Sequence, residues 1–467
     1  MQRYQALTQA DIELIHENSL RILEEVGVVM QYAPALEVFR KHGAKVDGET
    51  VYIPRALVEK SIDSAPSEFT LYARDPKRNV VFNTEDTHYT GPGGSSFAQD
   101  LDEGRRLSTR EDFIKLVKLF QSLDLIEMHH VPCDMNDVDP AVRNREVAYL
   151  MMKYSNKPFM GFMFSYEEAK TIIAMAAVPF GGLEAVRNKP VTILDPCSVT
   201  PLAYDDKGLS ALMAFAEYGQ MQLINSLCMA GTTAPVTLAG NVSVQNAEIL
   251  AGIVLAQCIN PGTPVVYSAS SSISDMKTGN LVVGTPETAL ISIVNGQLAK
   301  FYGLPCRISG AITDSKGIDI QAGYESMMNL MTAEMAGGNF ILHSGGILAG
   351  YDTVSFEKAI IDHELCGMVW RISRGMEVNE KTLAFDVIKE VGPQGQFLSQ
   401  KHTIKNFRKE FYTPQISDRS AYSEKEDAGA LSMEQKANMR WKELLENYKA
   451  PEDFDEMEPE IKKIMEM

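Results

Sequence analysis

The densest group of polar side chains in this sequence runs from Ser309 to Lys316 and continues from Asp319 to Glu325. It follows an apolar strand-like run and opens a helical pattern. The start of a helix presents free backbone N–H groups, so it can orient a carboxylate or a second protein chain. The residues expected to face such a partner are Thr313, Asp314, Ser315 and Lys316.

A second candidate is the glycine-rich loop from Gly91 to Phe97, which reads Gly-Pro-Gly-Gly-Ser-Ser-Phe. No Lys-Ser or Lys-Thr pair follows it, so it is not a phosphate-binding P-loop. Glycine permits the backbone to approach a ligand closely, and Gly93 is the residue expected to do so. A purely structural turn is the alternative.

Aromatic residues recur at or just after the strand-like runs. Such faces can surround a quaternary ammonium group, because the ring quadrupole attracts a cation by roughly 0.5–2 kcal/mol per face. Taken one at a time, each ring is more often a packing residue of a core than a ligand contact. The rings predicted to line a site are Tyr89, Phe97, Phe162, Phe164, Tyr204, Tyr267 and Tyr351.

Metal and nucleophile chemistry have little support in the sequence. His129 and His130 are adjacent, so on a strand they face opposite ways and cannot chelate one ion together. Residues such as Asp195 and His343 lie near strand ends, but no spacing resembles a zinc ligand set. No Gly-x-Ser-x-Gly segment is present either. We therefore predict no metal ligands.

Eight strand-like runs, each followed by a helical pattern, position these residues. This order is typical of an α/β protein built as an eight-fold β/α barrel, whose chemistry lies at the carboxyl ends of the strands. We predict a barrel over 86–375, a helical and mixed N-terminal segment over 1–85, and a helical C-terminal extension over 376–467. The predicted strands are 88–91, 126–131, 158–163, 190–195, 222–228, 264–269, 305–309 and 340–343.

Bulk composition narrows the class of protein. The 467 residues carry a formal net charge of −18, which argues against a nucleic-acid partner. The six cysteines are scattered singly, as in a reduced cytoplasmic protein. The N-terminus has no apolar leader, and no apolar run is long enough to predict a membrane span.

The motifs together resemble the trimethylamine methyltransferase superfamily. The resemblance covers nearly the whole chain, and it includes the two segments at Thr313–Lys316 and Asp319–Glu325. The other matching segments are Leu23–Gly27, Gly91–Gly94, Gly337–Asn339, His343–Gly346 and His402–Arg408. Members of this family are β/α barrels that pass a methyl group from a methylamine to the cobalt of a separate corrinoid protein.

The resemblance implies a quaternary amine as substrate. Trimethylamine enzymes of the family carry pyrrolysine, and this chain holds only the twenty standard residues. It is therefore similar to the non-pyrrolysine branch, whose members demethylate glycine betaine, proline betaine or carnitine. Glycine betaine is our first expectation. The family also implies a homo-oligomer, with the corrinoid bound by the partner protein and no cofactor held by this chain.

The chemistry of a quaternary amine explains why no catalytic residue is expected. Loss of a methyl group leaves a neutral tertiary amine, so no general acid is needed. The protein must hold the cation and aim one methyl group at Co(I). Arg307, His343 or the N–H groups of the glycine loop could bind the substrate carboxylate. A structural ion pair at the base of the barrel is the alternative for Arg307.

Two other functions remain open on the sequence alone. One is a betaine sensor that kept the barrel but transfers nothing. The other is a lyase or isomerase with Asp195 or Glu325 as base and His343 as acid.

Overall fold

The computed structural model describes residues 3–421 and 431–466, so residues 422–430 and 467 of the predicted C-terminal extension lie outside the described residues. The strands in chain order are β1 Val28–Met30, β2 Lys45–Asp47, β3 Thr50–Tyr52, β4 Phe69–Leu71, β5 Val80–Phe82, β6 His88–Thr90, β7 Phe97–Asp100, β8 Gly104–Leu107, β9 Ile126–Met128, β10 Ile193–Leu194, β11 Ala203–Tyr204, β12 Met221–Ser226, β13 Met229–Ala230, β14 Val265–Ala269, β15 Ser272–Ser274, β16 Leu281–Val282, β17 Cys306–Ser309, β18 Phe340–Leu342, β19 Ile347–Leu348 and β20 Thr353–Ser355.

The helices alternate with these strands through most of the chain. In chain order they are α1 Gln9–Arg21, α2 Ala33–Lys41, α3 Arg55–Ser64, α4 Arg110–Ser122, α5 Pro140–Tyr154, α6 Tyr166–Ala177, α7 Asp206–Glu217, α8 Leu238–Ile259, α9 Pro286–Phe301, α10 Ile320–Ala336, α11 Phe356–Ser373, α12 Glu380–Leu383, α13 Phe385–Val391 and α14 Lys401–Glu410. Two further helices, Met433–Glu446 and Phe454–Met465, lie near the C-terminus.

Seven strands form a single parallel sheet at the centre of the molecule, in the order β10-β12-β14-β17-β18-β6-β9. Its strands are buried on both faces, as a parallel sheet covered by helices requires. The same strands were predicted from the sequence, with bounds that agree to within a few residues at most ends.

The predicted strand over 158–163 is present only as isolated bridges at Phe159 and Met160, and not as a continuous strand. It lies between the sheet edges β9 and β10 and touches each through one bridge, His129 to Phe159 and Met160 to Ile193. Pro158 has no N–H to donate, and its carbonyl accepts from the His129 N–H at 2.9 Å. The sheet therefore curls until its edges face this segment.

An apolar cluster fills the inside of the curled sheet toward the amino ends of its strands. The hairpin β4–β5 contributes Leu71, Val80 and Phe82 to this cluster, so it seals that end. The strand residues in it are Met128, Met160, Ile193, Met221, Leu223, Val266, Phe340 and Leu342. Any polar cavity must therefore lie above this layer, at the carboxyl ends of the strands.

The helices begin where capping chemistry predicts. Thr109 and Asp112 form a reciprocal capping box at the start of α4, and Asp319 caps α10 by accepting from the Ala322 N–H at 2.8 Å. Helix α8 is long and apolar enough to cross a membrane, but 83% of that stretch is buried inside the protein. A core helix of a folded protein has the same composition.

Short sheets cover the carboxyl ends of the strands. One is β13-β15-β16, and the other is β19-β20-β7-β8. The N-terminal segment is tied to the same region, because β1 pairs in parallel with β11 and antiparallel with β3. These additions leave the loops that follow β6, β9, β17 and β18 grouped around one opening.

Candidate substrate site

Strand alternation places a polar layer directly above the apolar cluster. Residues two positions apart on a strand share a face, so Met128 leads to His130, Ile193 to Asp195, and Leu223 to Asn225. The same rule brings Phe162 above Met160. This layer is completed by Thr90, Arg307 and Ser309, all of which are buried.

Arg307 is the central charge of this layer. Its side chain is only 2% exposed, and one terminal nitrogen donates to the Ala269 carbonyl at 3.1 Å and to the Ser270 hydroxyl. Its Nε has no acceptor, and no ion pair involves Arg307 among the described residues. A buried guanidinium without an acidic partner is costly, so this one is suited to an anion that the protein itself does not supply.

Aromatic rings from four segments meet beside Arg307. The His130 ring lies 5.3 Å from that of Phe162 and 6.4 Å from that of His343. The Tyr351 ring is 4.8 Å from His343, and its hydroxyl lies 3.3 Å from the Ser309 hydroxyl. The exposed Phe164 ring stacks on Phe162 at 6.4 Å. One wall of the site is therefore continuous π surface.

Both histidines of this wall are held neutral. Burial lowers the pKa of His130 to about 3, and burial also lowers the pKa of His343 well below its ordinary value, with Arg307 acting in the same direction on each. Each Nδ1 accepts a backbone N–H, from Val131 at 2.6 Å and from Gly93 at 3.3 Å. Neutral imidazoles beside the ring faces do not repel a cationic ligand.

The glycine loop approaches this wall closely at Gly93. A Cβ on Gly93 would lie 2.3 Å from the His130 ring, so only glycine fits there. The backbone at His343 and Tyr351 has φ of 60° and 77°, the left-handed region that such residues rarely adopt. Strain of this kind persists where surrounding contacts fix the conformation, and here it fixes two rings of the site.

Five of the predicted binding residues are thus brought together, namely Gly93, Phe162, Arg307, His343 and Tyr351. Phe164 lies at the rim, next to Phe162. Arg307 points into the site, so the alternative of an ion pair at the base of the barrel is excluded among the described residues.

Three tyrosines predicted to line the site do not lie in it, because their rings face the surrounding helices. Tyr89 donates its hydroxyl to Glu334 in α10 at 3.1 Å. Tyr204 donates to the Glu248 carbonyl at 2.9 Å, and Tyr267 donates to Asn246 at 3.0 Å, both in α8. Phe97 is corrected too, since its ring lies 3.5 Å from the Arg105 guanidinium on the covering sheet.

Replacing Tyr89 by phenylalanine is expected to lower the free energy of unfolding without changing ligand affinity. The hydroxyl is one partner of a buried hydrogen bond, so its loss costs about 1 kcal/mol. Urea denaturation measures the first effect and calorimetric titration with betaine the second. A weaker affinity for betaine with an unchanged free energy of unfolding would indicate that Tyr89 does contact the ligand.

The predicted partner-facing segment is mostly engaged within its own chain. Thr313 donates to the Glu325 carboxylate at 2.5 Å. Asp314 accepts from the Val283 and Gly284 N–H groups at 3.0 and 2.8 Å. Ser315 is buried and Lys316 is exposed, so Lys316 alone of the four presents its side chain to solvent. The segment organises the rim.

His130 was not predicted as a site residue. Strand alternation would have identified it, because it lies two residues after Met128, which faces the inner apolar cluster. Asp195 was predicted only as a possible base. The described residues contain no group of three or more His, Cys, Asp or Glu side chains placed to hold a metal ion.

Comparison with solved structures supports the fold. The crystal structure of a hydroxylamine MtmB complex aligns with a TM-score of 0.58, covering 95% of this chain and 89% of that one at 11% identity. At such identity the likeness concerns fold alone.

Comparison with known sequences gives the family. The model of trimethylamine methyltransferase (MTTB) matches residues 1–466. Glycine betaine methyltransferase of Desulfitobacterium hafniense is 46% identical, over 98% of this chain and 95% of its own. Proline betaine:corrinoid methyltransferase of Eubacterium limosum is 35% identical, over 88% and 86%. The resemblance predicted from the motifs is confirmed, and the chain belongs to the trimethylamine methyltransferase family.

Proposed function

We propose that this protein transfers a methyl group from a zwitterionic quaternary amine to the Co(I) centre of a separate corrinoid protein. The observation that carries the proposal is Arg307, a buried guanidinium without an acidic partner among the described residues, beside a wall of aromatic and neutral imidazole rings. The two charges of a betaine match these two features. Glycine betaine ranks first because a relative of that name is 46% identical, with proline betaine and carnitine as alternatives.

In this proposal the chain binds and aims the substrate. Arg307 holds the carboxylate, while Phe162, His130, His343 and Tyr351 surround the ammonium group. The reduced cobalt of the partner's corrinoid supplies the nucleophile. Because the nitrogen already carries its positive charge, no residue of this chain has to protonate it. The site must keep one methyl group pointed at the opening.

The rim of the opening suits a docked protein. Loops that follow the strands, together with the first turns of α10, expose apolar side chains to solvent, which is costly unless a partner covers them. These side chains are Val236 at 66%, Met276 at 70%, Ile320 at 87% and Tyr324 at 60% exposure. We assign this rim, together with Lys316, to the corrinoid protein.

The C-terminal arm, residues 375–411, suits a second copy of this chain. No residue of the arm is buried, although it forms three helices and exposes Phe385, Leu398, Ile404 and Phe411. Helices of this length are marginal alone, so a permanent partner has to stabilise them. We propose a homo-oligomer, in the cytoplasm, in which the arm of one subunit packs on another.

We also propose that Phe159 and Met160 complete the curled sheet as an eighth strand. The two bridges on either side of them support this closure. The division into a barrel over 86–375 and flanking segments over 1–85 and 376–467 remains part of the same proposal.

The decisive experiment is a substrate panel with reduced cobalamin as acceptor, followed by its absorbance. We expect methylation with glycine betaine, or more slowly with proline betaine or carnitine, and none with trimethylamine. Tight betaine binding without any methylation would support a sensor instead. Of the two bases named for a lyase, Glu325 is engaged by Thr313, Asp314 and Gln321, which leaves Asp195. Betaine turnover without methylation of cobalamin would support that alternative.

Replacing Phe162 by alanine is expected to raise the half-saturating betaine concentration roughly 2- to 30-fold, with little change in turnover. One aromatic face contributes about 0.5–2 kcal/mol to binding a cation. That contribution is made before and during the transfer, so it affects KM rather than kcat. Tyr204→Phe is the matched control, because that ring faces α8. Equal kinetics in the two variants would remove Phe162 from the site.

A further inference from the structure

Asp195 is a carboxylate of the polar layer that forms no ion pair with any of the described residues. It follows β10 and lies two residues after Ile193, so it faces the inside of the curled sheet. The residue as a whole is partly exposed, but its Oδ1 is sealed from solvent without a hydrogen-bond partner, and no hydrogen bond or ion pair to Asp195 is found among residues 3–421 and 431–466. Buried carboxylates are normally paired, so this one is suited to a cation that is absent from the chain.

The surroundings leave Asp195 negative at neutral pH. Burial raises the pKa of its carboxyl to about 6, and the Arg307 charge opposes that rise. Of the ionisable groups nearby, Glu248 accepts from the Ser198 and Ser226 hydroxyls at 2.5 and 2.7 Å, so its carboxylate is engaged within the protein. Desolvation raises the pKa of the Cys197 thiol on the same loop, and the pKa values of His130 and His343 are lowered, chiefly by burial.

The site therefore holds one positive and one negative group that do not form an ion pair with each other. A ligand with two separated opposite charges satisfies both. A permanent ammonium has no N–H, so it is attracted to a carboxylate without forming a hydrogen bond. A carboxylate that lacks hydrogen-bond partners but keeps its charge suits such a ligand.

We propose that Asp195 is the counter-ion of the substrate's quaternary nitrogen, and that with Arg307 it makes the site selective for zwitterions. This inference rests on the proposed function and assigns it a specificity-determining residue. Asp195 forms no bond to the substrate. It lowers the energy of the bound cation by Coulomb attraction, which is strong where water is excluded.

Calorimetric titration of the full chain without corrinoid protein tests the proposal. The ligands are glycine betaine and 3,3-dimethylbutanoate, which has the same shape and carboxylate but a neutral carbon in place of the nitrogen. Asp195→Asn is expected to weaken betaine binding at least about tenfold and to leave 3,3-dimethylbutanoate unchanged or tighter. Asp352→Asn, a partly exposed aspartate paired with Arg105, is the matched control for overall charge.

The dependence on pH gives a second readout. Because the pKa of Asp195 is raised, protonation removes its charge as the pH falls through about 6. Betaine affinity of the unaltered protein should rise about tenfold from pH 5 to 7.5, and that of Asp195→Asn should stay level. A structural role would not produce this difference.

Four results would overturn the inference. If Asp195→Asn weakens both ligands alike, or weakens neither, Asp195 does not act on the ligand's positive charge. If the unaltered protein binds 3,3-dimethylbutanoate as tightly as betaine, Arg307 can still bind the carboxylate, but Asp195 is not a counter-ion of the quaternary nitrogen. If it binds neither ligand, the proposed function fails, and this inference fails with it.

Discussion

Replacing Arg307 by methionine is expected to lower the affinity for glycine betaine by at least roughly thirtyfold. Removing one partner of a buried charge pair costs about 2–5 kcal/mol. Methionine has a similar length and is apolar, so it fills the space beside Ala269 and Ser270 without a charge. Calorimetric titration at pH 7.5 measures the loss directly.

The control ligand for this variant is tetramethylammonium, which has the cation but no carboxylate. Its weak binding should be unchanged or stronger in Arg307→Met, because a positive charge beside the cation has been removed. The thermal midpoint should fall only slightly, since the variant loses the hydrogen bonds to Ala269 and Ser270 but no ion pair among the described residues. Unchanged betaine affinity would show that the carboxylate binds elsewhere.

Replacing Gly93 by alanine is expected to lower betaine affinity at least about tenfold while the protein stays folded. The added Cβ would lie 2.3 Å from the His130 ring, a distance that real contacts do not reach. The ring or the loop must therefore move, and the N–H that Gly93 donates to His343 moves with it. Small displacements of groups that position a substrate have large effects on its binding and reaction.

Gly323→Ala is the matched control for the glycine change. Gly323 lies in α10, and a Cβ there would meet no atom within 4 Å. This substitution should leave affinity unchanged and raise the free energy of unfolding by roughly 0.5–1 kcal/mol, because alanine favours a helix. If Gly93→Ala behaves in the same way, the close approach to His130 does not shape the site.

Most elements of the fold were predictable from the sequence. Helices alternate with the strands from 110 to 373 as predicted, because capping residues and apolar periodicity mark them locally. Seven of eight strands were found for a similar reason. The strand predicted at 158–163 is longer than the one the structure forms. Its hydrogen bonds depend on neighbouring segments that are distant in sequence, and a local pattern does not reveal them.

The site was only partly predictable. Arg307, Phe162, His343 and Tyr351 were named from the sequence and lie together in the structure, although the direction of Arg307 was open. Tyr89, Tyr204 and Tyr267 were misplaced because the strands of a parallel sheet are apolar on both faces. The alternation of side chains along a strand then divides them between two faces, but it does not show which face lines the cavity.

The sequence by itself determined the element order, the family motifs, and the supply of aromatic and charged residues at the strand ends. Only the tertiary structure decided which of them share a cavity, because one residue of shift sends a strand side chain to the opposite face. It also left Arg307 and Asp195 unpaired, which no local pattern records. Whether two charged side chains form an ion pair depends on the distance between their strands, and that distance is set only when the sheet curls.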